Sequence, residues 1–371
     1  MARVIVGMSG GVDSSVTACL LKERGFDVEG VSFVLWEARN RSNPAACCSF
    51  DAVEAASVTA RHLGIGHTSI DVREEFIEGV IDPFVDQYIL GLTPNPCILC
   101  NIHIKFPRLL READRRGAEF IATGHYARVG RNSGPAAGED PEGLNPELRK
   151  GVDPAKDQSY VLYGMRPEEL RRLLLPLGEY RKQEVRKIAR TMGMAAAERP
   201  ESQEICFIED NNYHAFIENL LPAAGKPGPV LNTQGQVIGT HKGIYRYTLG
   251  QRKGLGIASL EPRYVTRIDR ESNTIVVGPQ EDARIREIRV RDLNWLSRPH
   301  ADHFRAAVKV RSMMKDRPAS VQISDEKAEV IFDEPQWAPA PGQSAVFYDG
   351  DTVVGGGIIE ACAYPGSREC Q

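Results

Sequence analysis

The sequence predicts an α/β protein: an N-terminal doubly wound parallel sheet, followed by a small β-rich domain and a C-terminal β-barrel. Over about the first two hundred residues, short apolar runs alternate with amphipathic helical segments, which is typical of βαβ units. After about Asp210 the chain changes to short runs punctuated by proline and glycine, and from about Arg284 apolar and polar residues alternate. With 371 residues, the chain has room for two or three domains that each bury a core.

The N-terminal domain is expected over residues 1–210, where strands and helices alternate. Its parallel strands are predicted at Val4–Gly7, Val28–Leu35, His67–Asp71 and Phe120–Thr123, and its main helices at Val12–Arg24, Asp51–Leu63, Glu74–Tyr88, Ile104–Arg116 and Arg181–Met192. Ligands of open α/β sheets bind beyond the carboxyl ends of the strands. The segment Ser9–Ser14, the residue Phe33 and the tripeptide Thr123–His125 should therefore share one edge of the sheet.

The rest of the chain divides into a β-rich adaptor at 211–282, a barrel at 283–364 and a tail at 365–371. Alternating runs predict barrel strands at Ala307–Arg311, Ala319–Ile323, Ala328–Phe332 and Ser344–Tyr348. Asp349–Gly350 is a hairpin turn that leads into the next strand, Thr352–Val354.

Composition indicates a cytoplasmic protein without a membrane partner. A strand follows directly after Met1–Arg3, and no apolar run approaches the roughly 20 residues that a membrane span needs. Eight cysteines in a chain of this length favour thiol chemistry or a metal over a disulfide framework. The net charge of −4 argues against indiscriminate nucleic-acid binding, although a local basic face would still allow RNA to bind.

A phosphate-binding turn is predicted at Ser9–Ser15, which reads Ser-Gly-Gly-Val-Asp-Ser-Ser between an apolar strand and a helix. The glycines fall where the first N–H groups of the helix have no partner within the helix. These N–H groups and the positive end of the helix dipole bind anions, and glycine lets a phosphate approach closely. The turn lacks the Gly-Lys-Ser/Thr ending of a Walker A loop and the G-x-G-x-x-G dinucleotide fingerprint.

Cysteines at two further places suggest chemistry. In Thr93–Asn101, prolines stiffen a loop that presents Cys97 and Cys100 before a helix expected to begin near Ile102. A helix N-terminus lowers the pKa of a thiol and so favours the nucleophilic thiolate. Cys206 lies in an apolar run near the end of the predicted N-terminal domain, where a buried structural cysteine is the simplest interpretation of that run alone.

The turn and the cysteines together resemble a known family. Ser-Gly-Gly-x-Asp-Ser after a first strand resembles the PP-loop of the HUP-like ATP pyrophosphatases, and the whole chain resembles the tRNA-specific 2-thiouridylases of that superfamily. The matching segments are Gly7–Ser14, Thr93–Phe106, Thr123–Arg128, Asp153–Tyr160, Glu201–Ile208 and Gly243–Ile257. The resemblance implies that ATP, with Mg²⁺, adenylates the 2-oxygen of the wobble uridine (U34) of tRNA. A persulfide sulfur then displaces AMP, which gives 2-thiouridine.

The same resemblance implies roles for individual residues. Cys206 would carry the persulfide, and Cys100 would be the partner thiol, a nucleophile able to form a disulfide with Cys206. The implied nucleotide contacts are Gly7, Met8, Ser9, Gly10, Gly11, Val12, Asp13, Ser14, Phe33 and Gly124. The implied tRNA contacts are Asn95, Pro96 and Cys97 at the target base, with His125, Lys156, Asp157, Gln158, Arg311, Ser312 and Gln343. The expected partners are the tRNA anticodon loop and a protein that donates persulfide sulfur, and no separate metal site is predicted.

Basic residues outside the turn allow two interpretations. Those on the helix predicted at Arg181–Met192 are most simply a solvated face opposite its apolar side. Alternatively, basic side chains contact tRNA phosphates, which would position the tRNA without reading its sequence. The residues concerned are Arg181, Lys182, Arg186, Lys187, Arg252, Lys253, Lys309, Arg311, Lys315 and Arg317.

Two positions depart from the family pattern. Phe33 stands where methionine is frequent, and Cys97 stands where many relatives have an aspartate. Cys97 thereby removes a carboxylate at the target base and creates a C-x-x-C with Cys100. Together with Cys206, these thiols could bind three corners of an iron–sulfur cluster, although persulfide chemistry is preferred. Two other interpretations are a PP-loop ligase that adenylates a carbonyl for an amine acceptor and a tRNA-binding module without catalysis.

Overall fold

The computed structural model describes residues 1–36, 50–131, 146–198, 205–208, 212–222 and 224–362. The chain forms two compact units. The first contains Met1–Val80, Cys97–Asn211 and Asp351–Val353, and the second contains Ile81–Pro96, Asn212–Gly350 and Val354–Gln371. The segment Ile81–Pro96 thus groups with the second unit, although it lies inside the first predicted domain. The predicted domain bounds stay a prediction, and the tail at 365–371 lies outside the described residues.

A parallel sheet forms the centre of the first unit. The strands of this unit are β1 (Arg3–Gly7), β2 (Asp27–Val34), β3 (Gly66–Asp71), β4 (Phe120–Ala122), β5 (Ala127–Arg131), β6 (Pro146–Lys150) and β7 (Leu173–Leu174). Five of them form the parallel sheet in the order β3-β2-β1-β4-β7, with Val4 of β1 opposite Val28 and Phe120. The other two, β5 and β6, pair as an antiparallel hairpin. The predicted strands are confirmed, and β7 is an addition that is too short to leave a periodic signal.

Helices cover the sheet, and two of the helical runs contain π-helical turns. The helices up to residue 191 are α1 (Val12–Glu23), α2 (Phe50–Leu63), α3 (Arg73–Phe76), α4 (Asp82–Ile89), α5 (Pro96–Leu99), α6 (Phe106–Arg115), α7 (Pro167–Leu170) and α8 (Lys182–Thr191). Of these, α4 belongs to the second unit and does not cover this sheet. The π-helical segment Ile77–Ile81 joins α3 to α4, and the π-helical segment Cys100–Lys105 joins α5 to α6. The expectation of a helix start near Ile102 is therefore wrong. Helical structure begins at Pro96, because proline has the fixed φ that suits a first helical position and lacks only an N–H that would be unpaired there.

Helix α1 is buried on several sides, which fixes the turn at its N-terminus. Val16 and Cys19 of α1 lie in one core with Val6 of β1, Ala56 of α2 and Val185 of α8. Strands buried on both faces are typical of a parallel sheet covered by helices. The turn between β1 and α1 is thus held at both ends by packed structure.

The second unit contains a small mixed sheet. Its elements are α9 (Tyr213–Leu220), β8 (Gly228–Leu231), β9 (Val237–His241), β10 (Tyr264–Asp269) and β11 (Thr274–Gly278). The strand order is β10-β11-β8-β9, and only the β8–β11 pair in this order is parallel. Tyr213 of α9 stacks on Tyr88 of α4 with ring centroids 4.6 Å apart.

A closed six-stranded barrel completes the second unit. Its strands are β12 (Arg284–Trp295), β13 (His303–Lys309), β14 (Arg317–Ser324), β15 (Lys327–Trp337), β16 (Ser344–Asp349) and β17 (Thr352–Cys362). The order is β12-β15-β14-β13-β16-β17, and an added β12–β17 pairing closes the barrel. The predicted fold class is confirmed. Within the described ranges, no helix has the length and apolarity to cross a membrane.

Candidate active site

The turn between β1 and α1 has the geometry of an anion-binding loop. Gly10 has φ +72°, and a side chain there would overlap the backbone oxygen of Ala52. The backbone N–H of Ser9 donates to Ser14 Oγ at 3.2 Å, and Ser14 Oγ donates to the carbonyl of Gly11 at 3.2 Å. Gly11 is the N-cap residue and has no side chain to cap α1. Anions are favoured at such a helix start, so the residues present fit a polyphosphate.

Gly124, which follows β4, lies directly against this turn. A Cβ added at Gly124 would be 2.9 Å from the carbonyl carbon of Asp13 and 2.9 Å from the nitrogen of Ser14. Real Cβ atoms do not approach backbone that closely, so only glycine fits here without a shift. The structure therefore brings the predicted nucleotide residues of β1, α1 and β4 together at one edge of the sheet.

Asp13 of the turn forms an ion pair with Lys182, which the sequence pattern placed on a solvated face or at a tRNA phosphate. Lys182 Nζ donates to the two carboxylate oxygens of Asp13 at 2.7 and 2.8 Å, and the hydroxyl of Tyr126 donates to Oδ1 at 2.7 Å. Lys182 is buried, so the tRNA-phosphate contact considered for it does not fit its position. A signal was present in the sequence. Lys182 is three and seven residues before Val185 and Ala189, which places it on the buried stripe of the helix.

The turn that contains Lys156, Asp157 and Gln158 braces Tyr126. Gln158 Oε1 accepts from the Tyr126 N–H at 2.9 Å, and the Gln158 N–H donates to the Tyr126 carbonyl at 2.8 Å. The carboxylate of Asp157 accepts from the N–H groups of Gly151 and Ser159, each at 3.1 Å. The predicted tRNA contacts in this turn stay predictions, and the structure gives Asp157 and Gln158 a role in holding the turn itself.

Ser32 and His67 support the backbone of Met8, the residue that follows β1. Ser32 Oγ donates to the Met8 carbonyl at 2.6 Å and lies 2.8 Å from His67 Nε2. Since the hydroxyl proton of Ser32 is used on Met8, His67 Nε2 donates to Ser32. Burial lowers the pKa of His67, which keeps this imidazole neutral at pH 7. Phe33, the next residue of β2, is half-buried.

His125 connects the turn to the segment that carries Cys100. Thr123 Oγ1 and His125 Nδ1 share a hydrogen bond of 2.8 Å. Burial lowers the pKa of His125 well below its usual 6.5, and the charge of Lys105 lowers it further, so the ring is neutral at pH 7. Lys105 Nζ donates to Asn101 Oδ1 at 3.0 Å, and Asn101 follows Cys100 directly.

The two cysteines of the C-x-x-C differ in exposure. Cys97 is exposed in the first turn of α5, and Cys100 is buried at the start of the π-helical segment. Both lie inside a helical run rather than in a loop before it. The helix N-terminus therefore acts most directly on Cys97 and less on Cys100, because its effect fades within the first turn.

Cys206 occupies a turn at 205–208 and is half-buried. The next residue, Phe207, is buried and packs edge-on against Phe76 of α3 with ring centroids 5.6 Å apart. Helix α3 also packs against the π-helical segment that contains Cys100. The segments that carry Cys100 and Cys206 thus share α3 as a neighbour.

In the second unit, two predicted tRNA contacts also hold loops. Gln343 Nε2 donates to the carbonyl of Thr93 at 2.8 Å, and the N–H of Thr93 donates to the carbonyl of Pro341 at 2.8 Å. The chain then runs from Pro94 into Asn95. Arg311 Nη2 donates to the carbonyls of Leu249 at 3.0 Å and Ala338 at 2.7 Å.

The described part of the chain contains no group of three or more His, Cys, Asp or Glu side chains arranged to hold a metal ion. Cys97, Cys100 and Cys206 all belong to that part. The structure thus offers no support for the iron–sulfur alternative.

Comparison with known proteins identifies the family. Three family models match in sequence: a "tRNA methyl transferase HUP domain" at residues 2–210, a "tRNA methyl transferase PRC-barrel domain" at 214–279 and an "Aminomethyltransferase beta-barrel domain" at 285–359. The tRNA-specific 2-thiouridylase MnmA of Halothermothrix orenii is 44% identical over 369 residues, which cover 97% of this chain and 99% of the relative. The chain belongs to the tRNA-specific 2-thiouridylase family.

Other relatives give the same result. The MnmA 1 of Caldanaerobacter subterraneus subsp. tengcongensis is 46% identical over 363 residues, or 96% of this chain and 98% of the relative. The MnmA of Clostridioides difficile is 44% identical over 361 residues, or 96% of this chain and 98% of the relative. The resemblance seen in the sequence is therefore confirmed at the level of the family.

Proposed function

We propose that this protein is an ATP-dependent sulfurtransferase that converts the wobble uridine (U34) of tRNA to 2-thiouridine. The observation that carries the proposal is that the first unit contains both an anion-binding turn and the two cysteine segments. The Ser9–Ser14 turn fits a polyphosphate, and the segments of Cys100 and Cys206 pack against a shared helix, α3. The family relatives are named for this reaction. We propose a cytoplasmic location, as the sequence predicts.

The first step is adenylation of the uridine. The 2-oxygen attacks the α-phosphorus of ATP, the bond from that phosphorus to the bridging oxygen breaks, pyrophosphate leaves with the electron pair, and the uridine N3 proton passes to water. Gly7–Ser14, Phe33 and Gly124 bind the nucleotide in this proposal. ATP is bound with Mg²⁺, which neutralises phosphate charge. Gly10 and Gly124 allow close backbone packing around the turn, and a side chain at Gly11 would meet only Ser9 Oγ, at 3.6 Å.

The second step exchanges oxygen for sulfur. A donor protein leaves a sulfane sulfur on Cys206. This sulfur attacks C2 and displaces AMP, after which Cys100 attacks Cys206 Sγ and releases 2-thiouridine; alternatively, Cys100 first frees the sulfur as hydrosulfide, which then attacks C2. Both routes end with a Cys100–Cys206 disulfide, which an external thiol must reduce before the next turnover.

The tRNA contacts form a third part of the proposal. Asn95, Pro96 and Cys97 would face the target base, and His125 would contact the RNA as a neutral ring. Lys156, Asp157, Gln158, Arg311, Ser312 and Gln343 would contact the tRNA around the anticodon loop. Single-stranded anticodon bases can be splayed out and read at a pocket, whereas phosphate contacts only position the RNA.

Mass spectrometry of tRNA nucleosides tests the function directly. Cells that lack this protein should lose 2-thiouridine at U34, and the wild-type gene should restore it. Unchanged 2-thiouridine in the deletion strain would refute the proposal.

Replacing Cys206 by serine separates the two steps. Cys206→Ser should abolish thiolation and retain tRNA-dependent pyrophosphate release, because the hydroxyl cannot carry a persulfide but leaves the Ser9–Ser14 turn intact. Cys362→Ser is the matched control, since Cys362 is buried in the barrel core and has no part in the reaction. That control should thiolate tRNA at the wild-type rate within about twofold. Thiolation by Cys206→Ser would exclude Cys206 as the sulfur carrier.

A further inference from the structure

The pair of Lys182 and Asp13 is unusual because a buried ammonium ion holds a carboxylate inside an anion-binding turn. The side chain of Lys182 is 10% exposed and that of Asp13 is 34% exposed, so the carboxylate faces the open side of the turn and the ammonium lies behind it. The Lys182 ammonium also lies 5.5 Å from the ring centroid of Tyr126. A buried lysine needs such partners, since desolvation of an isolated charge is costly.

The elements around Lys182 fix its backbone, and its long side chain reaches the carboxylate of Asp13. The Lys182 N–H donates to Asp153 Oδ2 at 3.0 Å, and Arg181 and Glu184 form a capping box at the start of α8. A lysine side chain has four rotatable bonds between Cα and Cε and carries a mobile point charge. The ammonium can therefore change its acceptor without movement of α8.

A carboxylate and a polyphosphate repel each other when they share a turn, unless a cation separates them. In the structure, Lys182 supplies that cation to Asp13. Mg²⁺ accompanies ATP and prefers carboxylate and phosphate oxygens, so it competes with Lys182 for Asp13. An ammonium released from Asp13 would lie within the turn that receives the phosphates.

We propose that Lys182 is a catalytic residue of adenylation that exchanges partners when MgATP binds. Its ammonium leaves the Asp13 carboxylate for a phosphate oxygen of the nucleotide, and Asp13 then faces the metal. Lys182 stabilises the negative charge that the departing pyrophosphate acquires. Tyr126 keeps its hydrogen bond to Asp13. This inference rests on the use of ATP in the proposed function and replaces the tRNA-phosphate role considered for Lys182.

Nucleotide binding measured by calorimetry, with and without Mg²⁺, tests the exchange apart from catalysis. Asp13→Asn preserves the shape of the side chain and removes the negative charge that pairs with Lys182. It should bind metal-free ATP at least about threefold more tightly than the wild type and MgATP more weakly. Lys182→Met should weaken the binding of both forms about tenfold or more. Equal affinity of the wild type and Asp13→Asn for metal-free ATP would overturn the exchange.

Lys187 is the matched comparison, because it lies on the exposed side of the same helix. Lys182→Met should lower tRNA-dependent pyrophosphate release about 100-fold, the usual scale for losing one group that stabilises transition-state charge. Its affinity for tRNA and the salt dependence of that affinity should stay at wild-type values. Lys187→Met should instead weaken tRNA binding, flatten its salt dependence and leave MgATP affinity unchanged. A Lys182→Met protein that loses tRNA affinity but not ATP affinity would refute the assignment.

Folding of each variant is checked by its circular dichroism spectrum and melting temperature. Lys182→Arg, which keeps the charge in a larger head group, provides a second test where Lys182→Met is unstable. It should retain more ATP affinity than Lys182→Met and still release pyrophosphate slowly. If wild-type protein bound ATP as described but thiolated no tRNA, the proposed function would fail while the partner exchange stood.

Discussion

At the scale of single residues, Gly124 offers a direct test of the turn. Gly124→Ala should weaken MgATP binding about tenfold, because its Cβ would lie 2.9 Å from backbone atoms of Asp13 and Ser14 and must displace them. Gly130→Ala is the control in the neighbouring hairpin. Its Cβ would meet only the side chain of Arg149 at 3.5 Å, an ordinary contact, so MgATP binding should be unchanged. Equal ATP affinities in the two variants would mean that Gly124 does not shape the turn.

A sequence pattern reveals residues whose structural role depends on their neighbours along the chain. The Ser9–Ser15 turn was predictable because glycines, capping serines and a helix start are adjacent along the chain. The Asp13–Lys182 pair was not, since 169 residues separate its partners and a charge run reads most simply as solvated surface. His125 shows the same limit. Its depressed pKa depends on burial and on Lys105, and neither can be read from neighbouring residues.

At the scale of elements, the barrel turn at Pro341–Gln343 holds the loop that leads to Cys97. Gln343 Nε2 donates to the carbonyls of Thr93 at 2.8 Å and Pro94 at 3.4 Å. Gln343→Ala removes the amide group that makes both hydrogen bonds, and a lost hydrogen bond is worth about 1 kcal/mol. We therefore expect the thiolation rate at saturating tRNA to fall about fivefold to tenfold, while loss of the proposed contact of Gln343 with tRNA lowers tRNA affinity less than threefold.

A matched amide separates this role from direct contact with RNA. Gln322 on β14 is exposed, and its Nε2 donates to the carbonyl of Ile323 at 3.0 Å. Gln322→Ala should leave both rate and affinity unchanged. A Gln343→Ala protein with weakened tRNA binding and a normal rate would show that Gln343 acts on the RNA itself.

Element types were predicted better than element starts. Periodicity identified the strands of the first sheet and the alternating strands of the barrel, because their apolar positions follow the burial pattern. The helix start at Pro96 was missed, since a proline-rich segment reads equally as a stiff loop and as a first helical turn. Closure of the barrel depends on the β12–β17 pairing, which no local pattern specifies.

At the scale of the whole molecule, histidines with lowered pKa values make stability depend on pH in both units. Burial lowers the pKa of His67 and His125 in the first unit and of His214 and His241 in the second, and positive neighbours add to the effect at His125 and His214. The unfolded chain then binds more protons than the folded chain below about pH 6.5, so the stability present above that pH is lost as the pH falls. Glu287 opposes this at lower pH, because burial and Glu329 raise the pKa of its carboxyl.

The urea midpoint of unfolding should therefore fall between pH 7.5 and pH 5.5 by the equivalent of at least about 1 kcal/mol. His241 is the best single probe, because its ring is fully buried and its Nδ1 accepts a hydrogen bond. The Gly243 N–H donates to Nδ1 at 3.1 Å, and Nε2 donates to the Asn273 carbonyl at 2.9 Å, so a second ring proton must break the first bond. His241→Gln should reduce the pH dependence, whereas His300→Gln, at an exposed position, should leave it intact. A midpoint that stays constant or rises toward pH 5.5 would contradict a folded state that keeps these rings neutral.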